Sequence, residues 1–281
     1  MTVRTALEQG TRLFTDCAIP APRLTAEVLL AHALRRERTF LYSHSEYELR
    51  EVEWLHYGRY LHERMQGKPT QYITKVQEFY GRPFRVTPDV LIPRPETEHL
   101  IEAVLAGPRP ERFVDVGCGS GAIAVTLALE TGAAAYATDV SRAALTVASG
   151  NAARLGAAVR FIACDLASAL ATASVDLLVS NPPYVPDGDI AHLQREVRDF
   201  EPRVALAGGP TGAEIYARLI ACAGRVVRPG GRIAVEIGFR LHEPVCAMLA
   251  AGRWDEIATI PDLAGIPRVL TARNRSSSQS H

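Results

Sequence analysis

Lysine is almost missing from this chain: Lys68 and Lys75 are the only two among 31 basic residues, the rest being arginine. Gene base composition accounts for that skew more cheaply than function does, and no role is drawn from it. Net charge is missing as well, since 31 basic residues face 31 acidic ones. The molecule therefore has no general field for gathering polyanions, and no direct nucleic-acid partner is expected. Cysteine is scarce and unpatterned. Cys17, Cys118, Cys164, Cys222 and Cys246 are odd in number and contain no C-x-x-C pair, so they read as small, reduced, mostly buried hydrophobes. The eight histidines show no ligand spacing, and no metal is expected. No apolar stretch reaches the ~18 residues needed to cross a bilayer. Glu8, Arg12 and Asp16 break any secretory pattern after Met1. A cytoplasmic protein without a membrane partner is the expectation.

What is present divides in two, and 281 residues suit one large domain with one small one. Up to about Lys75 the period is helical. Ala26, Leu29, Leu30, Ala33 and Leu34 share one face, and Trp54, Tyr57, Leu61 and Met65 share another, which predicts a bundle of four or five helices. Glu78 to Val86 predicts a short hairpin turning at Gly81. From Arg112 strands and helices alternate, with strands predicted at Phe113 to Val116, Ala134 to Asp139, Arg160 to Cys164, Asp176 to Ser180 and Arg232 to Ile237. Helices are predicted at Ala122 to Glu130, Arg142 to Leu155 and Ala213 to Arg225. Such alternation predicts an α/β fold with a mainly parallel, doubly wound sheet. Two last strands, near Glu256 to Ile260 and Arg268 to Ala272, predict an antiparallel edge.

The most informative residues are Asn181-Pro182-Pro183-Tyr184, placed directly after the apolar run ending at Ser180. That position is the carboxyl edge of a strand, where open α/β sheets bind ligands. Consecutive prolines fix φ and remove two backbone donors while leaving carbonyls free to accept. The Asn181 amide oxygen and the Pro182 carbonyl then form a stiff pair of acceptors suited to a planar NH2 group, with the Tyr184 ring beside them. Transfer onto an amide or exocyclic amine is the chemistry to expect. A second edge carries Gly117-Cys118-Gly119-Ser120-Gly121 between a strand and a helix, where a ligand can approach bare backbone. This G-x-G-x-G spacing also serves nicotinamide and flavin enzymes, and by itself it does not decide. Asp139 ends the next strand, about 20 residues on, where a carboxylate can accept from ribose hydroxyls; helix capping is its plainer role, which Ser141 could supply instead. Asp165 follows the third strand and could meet an adenine amino group. Together these strand ends outline a pocket for an adenosine-containing donor.

These residues resemble Class I S-adenosylmethionine-dependent methyltransferases, and specifically the protein-(glutamine-N5) methyltransferases of peptide chain release factors, the PrmC/HemK family. The resemblance runs through Gly67 to Ile73, Phe79-Tyr80-Gly81, Ile92 to Glu98, Asp115 to Gly121, Asn181 to Tyr184, and Glu201-Pro202-Arg203 with Ala205-Leu206. It implies a helical substrate-docking domain over 1–75, a linking hairpin over 76–93 and a methyltransferase domain over 94–275. A Ser-rich tail, 276–281, is expected to be disordered. It also implies that Gly117 to Gly121 hold the methionine end of S-adenosylmethionine, Asp139 the ribose and Leu166 the adenine face, where relatives often carry an aromatic ring. The run Arg94 to Glu98 is a further candidate wall of the donor pocket, although Glu96 or Glu98 could simply charge a helix start. Asn181, Pro182, Pro183 and Tyr184 would bind the acceptor glutamine. The implied partner is a class 1 release factor, modified on the glutamine of its Gly-Gly-Gln motif by a monomeric enzyme.

Two other substrates stay open on these residues. A sister enzyme acting on a ribosomal protein glutamine shares the glycine loop and the corner. An adenine-N6 methylase of nucleic acid faces the same two-donor problem, but would need a basic track, and residues 1–75 carry 11 Lys or Arg against 9 Asp or Glu.

Overall fold

The computed structural model describes residues 1–275, so the Ser-rich tail lies outside the described residues. The described residues form two compact units, residues 1–76 with 194–200, and residues 77–193 with 201–275.

The first unit is built on α1 (Val3–Asp16), α2 (Pro22–Leu34), α3 (Arg38–Ser43), α4 (Glu51–Met65) and α5 (Thr70–Thr74). Thr2 caps α1 by accepting from the Thr5 amide, and Pro22 occupies the first turn of α2, where its missing N–H costs nothing. The predicted stripe of α2 is buried against Val3, Leu7 and Phe14 of α1 and Tyr57 and Leu61 of α4. Each large side chain removed from water there stabilises by roughly 1.5–3 kcal/mol. Gly10 lets α1 and α4 meet closely, because a Cβ there would lie 2.0 Å from the Tyr57 hydroxyl.

A short helix at Arg195–Phe200 also belongs to this unit, which differs from the expectation that everything after 94 sits in the second domain. The reason is an ion pair of 2.7 Å between Glu196 and Arg64, whose side chain is only 7% exposed. Sequence separation of more than a hundred residues hides that pairing from any local pattern.

In the second unit, β1 (Val76–Phe79) and β2 (Arg82–Arg85) form the predicted hairpin. Tyr80 and Gly81 both have positive φ, 51° and 68°, as a two-residue turn between right-twisted strands requires. There follow α6 (Glu98–Ala106), β3 (Arg112–Val116), α7 (Ala122–Thr131), β4 (Ala134–Asp139), α8 (Arg142–Leu155), β5 (Val159–Ala163), β6 (Val175–Ser180), β7 (Val185–Pro186), α9 (Arg195–Phe200, the helix of the first unit) and β8 (Ala207–Gly209). The chain closes with α10 (Glu214–Val226), β9 (Val227–Glu236), α11 (His242–Ala251), β10 (Trp254–Pro261) and β11 (Pro267–Asn274).

Seven strands make one sheet in the order β10-β11-β9-β6-β3-β4-β5. The strands β9, β6, β3, β4 and β5 are parallel, while β11 runs against both β9 and β10. The antiparallel pair is present as predicted, but the reversed strand, β11, is second from the edge and β10 is outermost. The chain leaves β3 toward β4 and β5, then returns to lay β6 on the other flank of β3. Loops leaving β3 and β6 therefore diverge at a switch point, which opens a crevice above their carboxyl ends. Val114 and Leu178 on neighbouring strands, with Ile233 and Leu270, anchor the apolar layer beneath it.

Candidate functional site

The switch point brings the two predicted loops together. Asp115 pairs with Val179 across β3 and β6, so Gly117 and Asn181 leave adjacent strands at the same level. Ser180 ties them by donating to the Val116 carbonyl at 2.7 Å. The loop itself is held from β4: the Gly117 and Cys118 amides both reach the Thr138 carbonyl, at 2.9 and 3.0 Å. Gly117, Gly119 and Gly121 all have positive φ, and a Cβ on Gly117 or Gly119 would meet no atom within 4 Å. Bare backbone at Gly117 and Gly119 thus faces open space.

That space is a cavity of about 420 Å³. Gly117 and Gly119 from β3, Asp139 from β4, Asp165 and Leu166 after β5, and Asn181 to Pro183 after β6 all line it. Cys118, Ser120 and Gly121 do not. Cys118 is buried beneath the loop, where burial and the Asp115 and Asp139 charges push its thiol well up and keep it protonated. Ser120 is buried too, its carbonyl accepting from Asn151. Gly121 starts α7 where a Cβ would crowd Ala148 at 3.1 Å. Asp115, fully buried, accepts from the Ala124 amide in the first turn of α7, and burial raises its carboxyl to about 7.

Asp139 has two employments already. One carboxylate oxygen accepts from the Gly119 amide at 2.9 Å, the other from the Ser141 amide at 2.8 Å, and Ser141 caps α8 with its own hydroxyl. The carboxylate therefore braces the glycine loop while standing on the cavity wall. Asp165 lies two residues beyond the end of β5, ion-paired to Arg218 of α10. Leu166 has a φ of 49° and is half-buried.

At the corner, Pro182 is buried and Asn181 half-buried. The Asn181 amide nitrogen donates to the Thr97 hydroxyl at 3.1 Å, and that hydroxyl donates to the Glu236 carboxylate at 2.6 Å. Tyr184 is not part of the cavity wall. Its ring packs over Gly238, where a Cβ would sit 2.6 Å from the ring carbon, and burial raises its phenol to about 12. Gly238→Ala should therefore displace the ring and the corner attached to it. Turnover is expected to fall about tenfold and stability by about 1–3 kcal/mol. Steady-state kinetics with a thermal melt checks this, and unchanged kinetics would show that Tyr184 does not set the corner.

Residues 5–74 match the PrmC N-terminal domain family and residues 95–197 the methyltransferase small domain family. The release factor glutamine methyltransferase of Koribacter versatilis is 44% identical over 282 residues, covering 99% of this chain and 100% of that one. The chain belongs to the release factor glutamine methyltransferase family. Another of these methyltransferases, from Nitratidesulfovibrio vulgaris, is 41% identical over 97% of this chain and 95% of its own. The solved hMettl16 catalytic domain shares the fold, with a TM-score of 0.58 at 16% identity over 74% of this chain and 81% of that one. The chain is thus a Class I, S-adenosylmethionine-dependent methyltransferase. Among the described residues no helix is long and apolar enough to cross a membrane.

Within this methyltransferase site, sequence reasoning missed Asp89 to Leu91, Val204 and Ala205, Arg218, Thr97 and Glu236. The Arg94 to Glu98 run is not on the cavity wall. Thr97 bonds to Asn181, Arg94 pairs with buried Glu201 at 2.5 Å, and Glu98 accepts from the Tyr80 amide. One signal was available: Glu236 is an acid closing the apolar run Ile233 to Val235.

Proposed function

We propose that this protein transfers a methyl group from S-adenosylmethionine to the side-chain amide nitrogen of the glutamine in the Gly-Gly-Gln motif of class 1 peptide chain release factors. The observation that carries the reading is the orientation of Asn181. Its nitrogen is engaged by Thr97, so its oxygen remains as the acceptor at the cavity rim. Relatives spanning nearly the whole chain bear the release-factor name, which favours this substrate over a ribosomal protein or adenine.

The cavity suits the donor. Gly117 and Gly119 offer backbone, Asp139 and Asp165 offer carboxylates for hydroxyl and amino donors, and Leu166 offers an apolar surface for the adenine. When bound, S-adenosylmethionine supplies an electrophilic methyl carbon. The chain's task is to make a poor nucleophile competent, because the amide nitrogen's lone pair is delocalised into its carbonyl. Asn181 Oδ1 and the Pro182 carbonyl accept the two N–H bonds of the glutamine, which fixes the nitrogen's direction. Positive charge growing on that nitrogen meets the same two placed dipoles. The cationic amide then gives its proton to water, with no general base. Pro183 and Tyr184 keep the corner rigid, Tyr184 from the side away from the cavity. The helical unit serves as the docking surface for the release factor, acting within a cytoplasmic monomer.

Labelled S-adenosylmethionine, the purified protein and a class 1 release factor provide the test. Label is expected on the release factor and not on its Gln→Ala variant in the Gly-Gly-Gln motif. Label on a ribosomal protein or nucleic acid instead would overturn the substrate.

A further inference from the structure

We infer that Thr97 and Glu236 are positioning residues that decide which end of the Asn181 carboxamide faces the cavity. The inference rests on the reading of Asn181 given above and extends it to the residues behind the corner. An asparagine amide is nearly symmetric in shape, and rotating it by half a turn exchanges an acceptor for two donors. At the cavity rim that exchange would be ruinous: an outward NH2 would confront the NH2 of the substrate. Sterics cannot forbid the rotation, so hydrogen-bond polarity must.

The polarity runs in one direction from Glu236. A hydroxyl has one hydrogen, and Thr97 spends it on Glu236 Oε2 at 2.6 Å. Its oxygen can then only accept, and it accepts from Asn181 Nδ2 at 3.1 Å. Thr97 and Glu236 are 4% and 2% exposed, so water cannot stand in for either partner. Tyr216 secures the far end by donating to the Glu236 backbone carbonyl at 2.8 Å.

The chain reverses if Glu236 gains a proton, because a carboxylic acid can donate to Thr97 Oγ1 and release the threonine hydrogen toward Asn181. Burial pushes the Glu236 carboxyl up to about 7, opposed by the Thr97 hydrogen bond, by Arg268 and by the Asn181 amide, which also donates toward it, and reinforced by Glu96. Tyr184 and Tyr216 also face it, and burial raises both phenols, to about 12 for Tyr184, so each stays neutral in this range. Turnover should therefore fall as pH drops through about 7, the protonated form being the wrongly polarised one.

Thr97→Val removes the hydroxyl at constant shape. With release factor as substrate, kcat should fall at least tenfold while the dissociation constant of S-adenosylmethionine, read by calorimetry, changes less than twofold. Thr97→Ser should return kcat to within threefold of the wild type. Glu236→Gln, which keeps the side chain's size but cannot ionise, should lose the acid limb of the kcat–pH profile; a limb unchanged there would overturn the proposal even if Thr97→Val fails to fold. A kcat within twofold of wild type in Thr97→Val, or no rescue by serine, would also overturn it. Wild-type protein that labels no release factor would instead sink the proposed function, which separates the two failures.

Discussion

Asn181→Ala is expected to lower methyl transfer by about 10³-fold, the upper range for deleting one placed dipole at a reacting centre. The substitution removes the corner's side-chain acceptor on the cavity wall and leaves the Pro182 carbonyl to orient a substrate NH2 alone. A single hydrogen bond leaves rotation about it free, so orientation is lost along with charge stabilisation. Donor binding should weaken less than about threefold, because Asn181 is one residue of a wall that also draws on β3, β4 and β5. Stability should fall by about 1–3 kcal/mol, the cost of leaving the buried Thr97 oxygen without its donor. Single-turnover transfer and calorimetry with S-adenosylmethionine separate these effects. Turnover within tenfold of wild type would remove the acceptor pair from the mechanism. Asn181→Asp should be equally inactive for a different reason: a carboxylate cannot donate to Thr97, and it adds a charge beside Glu236.

The parts of this fold that were legible in the sequence are those that local chemistry specifies. The strand–glycine–helix turn at Val116 to Ala122 follows from residues that tolerate positive φ, and the helix Arg142–Leu155 has a capping serine before it and a glycine after it. The Asn-Pro-Pro-Tyr corner was legible because two consecutive prolines remove two neighbouring ladder donors, one on each side of the strand, and β6 ends at Ser180 just before them. Strand ends were less so: β9 begins at Val227, earlier than predicted, since Pro229, Gly230 and Gly231 disguise its first half as a turn. Helix α11 went unpredicted, its apolar face being short and Pro244 lying within its first turn.

What the sequence concealed is the side-chain pairing made across long stretches of chain. Thr97 and Asn181 are 84 positions apart, and Thr97 and Glu236 are 139 apart. A threonine in a polar run and a glutamate at a strand end are each ordinary alone. Their meaning comes from burial, which no local pattern reports: only in a dry interior does one hydroxyl hydrogen have a forced destination. The same holds for Arg64 with Glu196, whose pairing moves α9 into the helical unit.

Asp139→Ala should have the second largest effect, and on the donor rather than on chemistry: about 100-fold weaker binding of S-adenosylmethionine. Two separate losses combine there. Hydrogen bonds to a charged acceptor contribute about 1.5–3 kcal/mol each, so losing a hydroxyl contact alone accounts for roughly tenfold or more. The carboxylate also holds the Gly119 and Ser141 amides, at 2.9 and 2.8 Å, so its removal frees the glycine loop from the strand beside it. A loop that must be ordered by the incoming donor takes the ordering entropy out of the binding energy. Asp139→Asn divides these contributions, since one amide oxygen can still accept from Gly119 or Ser141, though not as an anion and not from both through its nitrogen. Its affinity should fall between those of wild type and alanine, and the Gly119 amide should exchange with solvent faster in both variants than in wild type. Equal affinities for all three proteins would mean that the donor does not touch Asp139. Lost affinity with unchanged exchange at Gly119 would assign the whole effect to direct contact and none to the loop.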